Sequence, residues 1–336
     1  VSILSLPRRA RGRQRAAAEL AYRTSIDAFC AAILQIRSTV DFRVSSRGWC
    51  YILEEHGLTK GDFDRAQALI NDCRKSGALP LDLCADDSNR QANHLEDLDD
   101  ESAADYAASI VSSVRYQHLY YTPVSFWDDL DVYVEVVVEK VDLKNLFSSV
   151  CESYPIPLTN VRGWNDLNSR AAMMRRFAHW EAQGKDCVLL YCGDHDPGGL
   201  AISDFLHQNM ADLADAVGWR PDQLHIDRFG LNADFIEEQG LTWIDNLETS
   251  NGGRLDDPRH PDHNKSYVQS YLREFGARKV EANALVVRPQ AGRDLCRQAI
   301  LRYVPEGAID AHKQRLHSVR EIVRQKVAAL LAESQS

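Results

Sequence analysis

Apolar residues recur at helical spacing three times in the first third of the chain, over Tyr22 to Ile36, Ser46 to Leu53 and Asp62 to Cys73. The spacing predicts three helices. The turn between the last two, Glu55-His56-Gly57-Leu58-Thr59-Lys60, pairs a glycine stop with a threonine cap, and the third helix ends at Gly77 before a strand-like Ala78 to Leu83. Two helices joined by a tight turn and followed by extended chain is the order of a winged helix-turn-helix, an order that small helical bundles share. Between roughly Ala104 and Trp127 the pattern changes. Val132 to Val138 is a near-continuous Val/Tyr run, and strands are expected again at Ile156 to Val161, Asp186 to Cys192 and Gln223 to Phe229. Helices are expected between them at Leu143 to Glu152, Asp166 to Gln183 and Leu200 to Val217. Apolar strands alternating with helices imply a parallel sheet covered on both faces. The expected fold class is therefore α/β, a mainly helical domain followed by a parallel sheet flanked by helices. The expected division is a basic arm at 1–20, a helical domain at 21–105, a linker at 106–130 and the sheet domain at 131–336 with a helical extension at its end.

Composition narrows the function classes. A 44% hydrophobic and 26% charged chain of 336 residues has enough apolar material for two domains, and no apolar run approaches the ~20 residues of a membrane span. The apolar Ile3 to Leu6 precedes the basic Arg8 to Arg15, the reverse of a secretory signal, so no export is expected. Eight cysteines without a Cys-x-x-Cys pair disfavour a zinc site and a secreted disulfide framework, and a reducing cytoplasm is the expected location, with nucleoid association left open. The net charge of −10 argues against coating nucleic acid by bulk positive charge but leaves room for a DNA enzyme. Charge is uneven: Arg8, Arg9, Arg11, Arg13 and Arg15 form a cluster that reads either as a solvated tail or as a phosphate-gripping arm, and Asp86 to Asp105 reads as an acidic loop.

Two strand ends carry acids. Glu139 closes the first strand, and Gly193-Asp194-His195-Asp196-Pro197-Gly198-Gly199 follows the third. In sheets of this kind the ligand site lies at the carboxyl ends of the strands. Three carboxylates at one edge repel one another unless a hard divalent cation sits among them, which implies magnesium held by Glu139, Asp194 and Asp196. Such an ion stabilises the charge that develops in phosphodiester chemistry. Taken alone, Asp-x-Asp-Pro-Gly is also a good turn sequence; its place after an apolar strand, with a glutamate one strand-helix-strand unit upstream, favours the metal.

In order along the chain, Glu139-Lys140, Gly163-Trp164-Asn165-Asp166-Leu167-Asn168-Ser169-Arg170, Gly193 to Gly199, Phe229-Gly230-Leu231-Asn232-Ala233-Asp234 and Lys279-Val280-Glu281-Ala282-Asn283-Ala284-Leu285 resemble motifs of the topoisomerase VI A subunit and its relative, the meiotic double-strand-break protein. The likeness covers most of residues 40 to 300. It implies a winged helix followed by a Toprim domain, and DNA cleavage by tyrosine transesterification. In Ser46-Arg47-Gly48-Trp49-Cys50-Tyr51, Tyr51 matches the nucleophilic tyrosine and Arg47 the arginine four residues before it. On a helix those side chains share a face, so the guanidinium can hold the phosphate that the phenol attacks. The chain departs from the family at Cys50, where a second aromatic is common. It has no ATPase region, so the resemblance describes a stand-alone A-like protein, homodimeric, with an ATPase partner as a separate subunit if strand passage occurs.

Further candidates are Lys60 and Arg65 at the start of the third helix, where a recognition helix meets DNA, and Arg162 and Arg170 near the second strand's end. His195 lies between two of the acids, within reach of a phosphate on sequence grounds, and Arg259-His260-Pro261-Asp262-His263 reads as a solvated loop rather than a metal site. Three functions follow. The first is a magnesium-dependent DNA-cleaving transesterase using Tyr51; the second is a Toprim hydrolase that uses metal-activated water; the third is a non-catalytic DNA-binding protein.

Overall fold

The structure, a computed structural model, describes residues 6–9, 16–85, 102–161, 167–249 and 253–333. Helices α1 (Ala16–Arg37), α2 (Ser46–Glu54), α3 (Phe63–Lys75) and α4 (Ala103–Val114) precede strand β1 (Val132–Val138). Then come α5 (Val141–Ser153), β2 (Leu158–Asn160), α6 (Leu167–Glu181), β3 (Asp186–Cys192), α7 (Pro197–Leu200), α8 (Ile202–Ala211), α9 (Ala214–Val217) and β4 (His225–Gly230). The chain finishes with α10 (Ala233–Gln239), α11 (Ser266–Phe275), α12 (Pro289–Leu301) and α13 (Ala308–Glu333). It is an α/β fold: a mainly helical region followed by an open, four-stranded parallel sheet flanked by helices. No helix among the described residues is long and apolar enough to cross a membrane.

The sheet order is β2-β1-β3-β4. The connection leaving β1 goes to β2 on one side, and the next strand, β3, lies on the other side of β1. The order therefore reverses between β1 and β3, and a crevice opens there at the carboxyl ends of the strands, where α/β sheets place their ligands. Glu139 follows β1 and Asp194 follows β3, one on each side of that crevice. The strands hold their places because they are buried on both faces: Val134, Val136, Val137, Val138, Leu189 and Leu190 are inaccessible, as are Leu146 and Phe147 of α5 and Met173 and Phe177 of α6.

The compact units fall differently from the division read off the sequence. Residues 1–86 and 133–300 form one unit, so the helical region and the sheet belong together. The physical ties are specific. Asp142, wholly buried at the start of α5, accepts hydrogen bonds from the backbone and hydroxyl of Ser45, the N-cap of α2. The second unit joins residues 87–132 to 301–336, so the expected linker has a structure of its own. Within it Arg315 pairs with Asp129 at 2.8 Å and Arg320 donates to the Tyr121 carbonyl, fastening α13 to the segment after α4.

Three local expectations are corrected. Ala78 to Leu83 is not a strand: Pro80 lacks the N–H a ladder needs, Leu81–Leu83 forms a 3-10 turn, and the segment's end makes only an isolated parallel bridge between Cys84 and Val44. The helix expected over Leu200 to Val217 is three short helices, the last ended by Gly218 in the left-handed conformation. The second strand is shorter than expected, three residues at the sheet edge.

One buried pair tests the sheet's packing. Glu135 of β1 is fully buried and receives both Arg176 Nε and Nη2 at 2.7 Å, with the Tyr133 hydroxyl as a third donor at 2.8 Å. Arg176→Met is expected to destabilise the unit by about 3 kcal/mol, because it strands a buried carboxylate, and Glu135→Met in the same chain is expected to recover most of that loss. Urea unfolding of the single and double variants reads both.

Candidate functional site

Each acid is set by backbone geometry. Glu139 continues β1, its N–H donating to the Cys192 carbonyl at 3.2 Å. The chain then leaves β3 through Gly193, and Asp194-His195-Asp196 runs extended alongside Lys279-Val280-Glu281: His195 and Val280 exchange N–H···O bonds of 2.8 and 3.1 Å as an isolated antiparallel bridge. Side chains alternate across extended chain. Asp194 and Asp196 therefore point one way with Lys279 and Glu281, and these four line one cleft of about 610 Å³ together with Glu139, Lys140, Arg47 and Asp64. His195 points the other way.

That alternation corrects the reading of His195 as a phosphate contact. The imidazole is 1% exposed, its Nδ1 lies 3.1 Å from the Tyr271 hydroxyl, and its edge or face meets the rings of Trp243 and Phe275 at 5.2 and 4.6 Å. Burial and then the Arg228 charge hold its pKa down to about 4, so it is a neutral core residue at pH 7.

The acidic cluster is dense. Asp194 accepts from the Ala282 N–H at 2.8 Å, its own N–H donates to Glu139 Oε2 at 3.2 Å, and the Tyr191 hydroxyl donates to the same oxygen at 3.3 Å. Asp196 caps α7 by accepting from the Gly199 N–H at 2.6 Å. Burial, and next the neighbouring Glu139 charge, push the Asp194 carboxyl up to about 7, while burial also raises Asp196. The counter-charge is Lys140, whose Nζ lies 2.7 Å from Glu139 Oε1 and 2.9 Å from Asp194 Oδ2. Burial opposes that ammonium, but the Asp194 and Glu139 charges outweigh it and raise its pKa. Among the described residues no three His, Cys, Asp or Glu side chains converge closely enough to bind an ion as they stand. Glu139 and Asp194 instead share an ammonium, and Asp196 is turned to the start of α7. The donor set fits magnesium in kind, since it is oxygen only.

The loop is held from behind by Arg228 of β4. Its guanidinium, largely buried, donates to the carbonyls of Gly199 at 2.7 Å, Leu231 at 2.6 Å and Asp194 at 3.2 Å, and to Asn232 Oδ1. The turn tolerates no side chain at Gly199, where a Cβ would lie 2.0 Å from the Asp194 carbonyl oxygen. Gly199→Ala is expected to cost about 1–3 kcal/mol in urea unfolding, the range for forced overpacking, and to displace the Asp194 carbonyl.

On the opposite wall, α2 presents Arg47 and Tyr51, one helical turn apart on one face. Both meet Glu281. The Tyr51 hydroxyl donates to Glu281 Oε2 at 2.8 Å, and Arg47 reaches the same carboxylate with Nε at 3.3 Å and Nη2 at 3.4 Å. The Tyr51 ring is 1% exposed, edge-on to Phe63. Burial and then the Glu281 charge raise its pKa, so the phenol is protonated. Burial alone would raise Glu281, but Arg47 and the Tyr51 hydrogen bond hold it below the usual carboxylate range.

The remaining expected contacts spread out. Lys60 Nζ is enclosed, 4.5 Å from the centre of the Tyr51 ring and 3.4 Å from Glu54 Oε2, and so belongs to the packing around Tyr51. Arg65 is exposed and pairs with Asp62 at 3.0 Å. Arg170 is turned to the Asn209 carbonyl, with its Nε buried. Arg162 lies outside the described residues, as do Arg11, Arg13, Arg15 and the Gly163 to Asp166 segment. In the 259–263 loop Arg259 pairs with Asp257 and His263 Nδ1 meets the Leu255 carbonyl, as expected of a self-contained turn. All eight cysteines are buried, and none is joined in a disulfide.

Sequence alone assigns no role to Lys140, Lys279 or Glu281. The signal is nonetheless present in the paired period-two pattern, acids at 194 and 196 matching charges at 279 and 281. Comparisons with protein-family models, with curated proteins and with solved structures returned no match.

Proposed function

We propose that this chain cleaves nucleic-acid phosphodiesters, DNA foremost, with magnesium held by Glu139, Asp194 and Asp196 and with Tyr51 as the nucleophile, as in a Toprim transesterase of the topoisomerase VI A type. One observation carries the reading: a single cleft at the sheet's reversal point gathers the three carboxylates, Arg47, and the glutamate bonded to the Tyr51 hydroxyl. Bound there, magnesium would supply positive charge to a phosphoryl oxygen.

The chain's own residues divide the remaining work. Arg47, released from Glu281, grips a phosphate oxygen in place of the carboxylate it now holds. Glu281 takes the phenolic proton as the Tyr51 oxygen forms its bond to phosphorus. The phosphorus–oxygen bond to the leaving sugar breaks, and that alkoxide takes a proton from water. The phosphotyrosine keeps the ester bond for later religation, and a second copy of the chain and a separate ATPase subunit are the partners this type of reaction uses for strand passage. Incubation with supercoiled DNA and magnesium, followed by denaturant, tests the reading: nicked or linear DNA with protein on its ends supports it. Glu281→Gln is expected to lower the rate of adduct formation by about 10²–10⁴-fold, the range for loss of a general base, and Glu281→Asp to restore part of it.

The burial of Tyr51 behind Glu281 favours a second reading. In it the same acids serve hydrolysis by water, and cleaved ends carry no protein.

A further inference from the structure

Beside the acidic cleft lies a second one, of about 440 Å³, which shares Arg47, Glu139 and Lys140 with it and is otherwise lined by Ser45, Ser46, Gln67, Val141 and Asn283. Four parts of the chain meet there: the start of α2, the first turns of α3, the junction of β1 with α5, and the 3-10 segment Ala282–Val287 that follows Glu281. Asn283 is out of keeping with its surroundings. It is 7% exposed, sits among buried Ala282, Ala284, Leu285 and Val286, and its Oδ1 is inaccessible and without a hydrogen-bond partner. A buried carbonyl left unpaired costs about 1–3 kcal/mol, and such a group in a native fold calls for an explanation, a functional role or a bound water among them. Gln67, a second carboxamide, is half-buried on the same cleft wall.

The cleft is continuous with the acids, so whatever fills it lies next to the group held at Arg47 and Glu139. If that group is a phosphodiester, its neighbour is a nucleoside, and a carboxamide has one preferred nucleobase partner. Asn and Gln present an acceptor and a donor side by side, which match the N6 amino group and N7 of adenine. We propose that this second cleft is a base-reading subsite for the nucleotide flanking the scissile phosphate, with Asn283 and Gln67 as readers and adenine as the preferred base. The proposal rests on the nucleic-acid reading of the acidic cleft. It makes α3 and the segment after Glu281, rather than exposed basic residues, the source of sequence preference.

The test is selection from a pool of duplex oligonucleotides randomised over eight central base pairs, with calcium in place of magnesium so that binding is read without cleavage, and sequencing of the retained DNA. The wild type is expected to enrich adenine at least fivefold at one position. Gln67→Ala and Asn283→Ala are each expected to reduce that enrichment below twofold; Gln67, being only half-buried, gives a variant whose folding is secure. Asn283→Asp, which can only accept, is expected to move the preference toward the amino group of cytosine, a change that a purely structural role would not produce. Retained DNA of even base composition, or an adenine preference unchanged in both alanine variants, overturns the subsite and leaves the cleavage reading standing, the Asn283 carbonyl then answering to a water. Absence of any retained DNA overturns the nucleic-acid reading and the subsite with it.

Discussion

Tyr51→Phe is expected to leave no protein attached to DNA ends, a fall of at least about 10³-fold in adduct, since a phenyl ring offers no oxygen to phosphorus. The variant removes one atom, and its structural cost is small. Glu281 loses a donor 2.8 Å away but keeps the Arg47 fork, so the loss is that of one hydrogen bond, about 1 kcal/mol. The ring keeps its edge-on contact with Phe63 and the Lys60 ammonium above it. A normal denaturation midpoint together with a missing adduct would therefore place the defect in chemistry rather than folding. Cleavage that persists in Tyr51→Phe, with bare ends in both proteins, would move the assignment to the hydrolase. An adduct that persists would mean another nucleophile and would remove Tyr51 from the mechanism altogether.

Much of this arrangement is written locally and is legible in the amino-acid sequence. The strand runs Val132 to Val138 and Asp186 to Cys192 are apolar at every interior position but one, and they form the two central strands within the predicted bounds. Glu139 and the Asp194 loop are legible for the same reason: acids at strand ends in a parallel sheet have few roles. What the sequence conceals depends on contacts between distant segments. The matching charge alternation at 194, 196, 279 and 281 shows only once two distant segments are set side by side, yet the bridge from His195 to Val280 turns His195 into the core and aligns Glu281 with the acids. Likewise the burial of Glu135 is tolerable only because Arg176, 41 residues later, meets it. Proline at position 80 is a local signal against a wing strand, and the apolar residues around it mask that signal. The grouping of residues 106–130 with α13 depends on pairs such as Arg315 with Asp129, which no window of neighbouring residues contains.

Magnesium itself is expected to stabilise the fold, a readout that needs no substrate. At a concentration 100 times its dissociation constant a ligand of the native state adds about 2.7 kcal/mol, which for a chain of this size raises the melting temperature by about 5 °C. Asp194→Asn is expected to reduce that shift below about 1 °C and to abolish magnesium-dependent cleavage. Its own effect on the metal-free protein is the sum of opposing parts: the amide relieves repulsion from Glu139 but deprives Lys140 of a partner at 2.9 Å, so the metal-free melting temperature should move little. Lys140 supplies the sharper control. Its ammonium now serves as the cluster's cation, and an incoming ion must displace it. Lys140→Met should thus lower the metal-free melting temperature by leaving Glu139 and Asp194 face to face, while enlarging the increment that magnesium adds. Thermal scans of the three proteins with magnesium and with chelator separate the cases. Equal magnesium shifts in wild type and Asp194→Asn would place the ion away from these carboxylates. A Lys140→Met protein that melts lower and gains nothing from magnesium would make the lysine the cluster's permanent cation, and a carboxylate site for magnesium would then have to be given up.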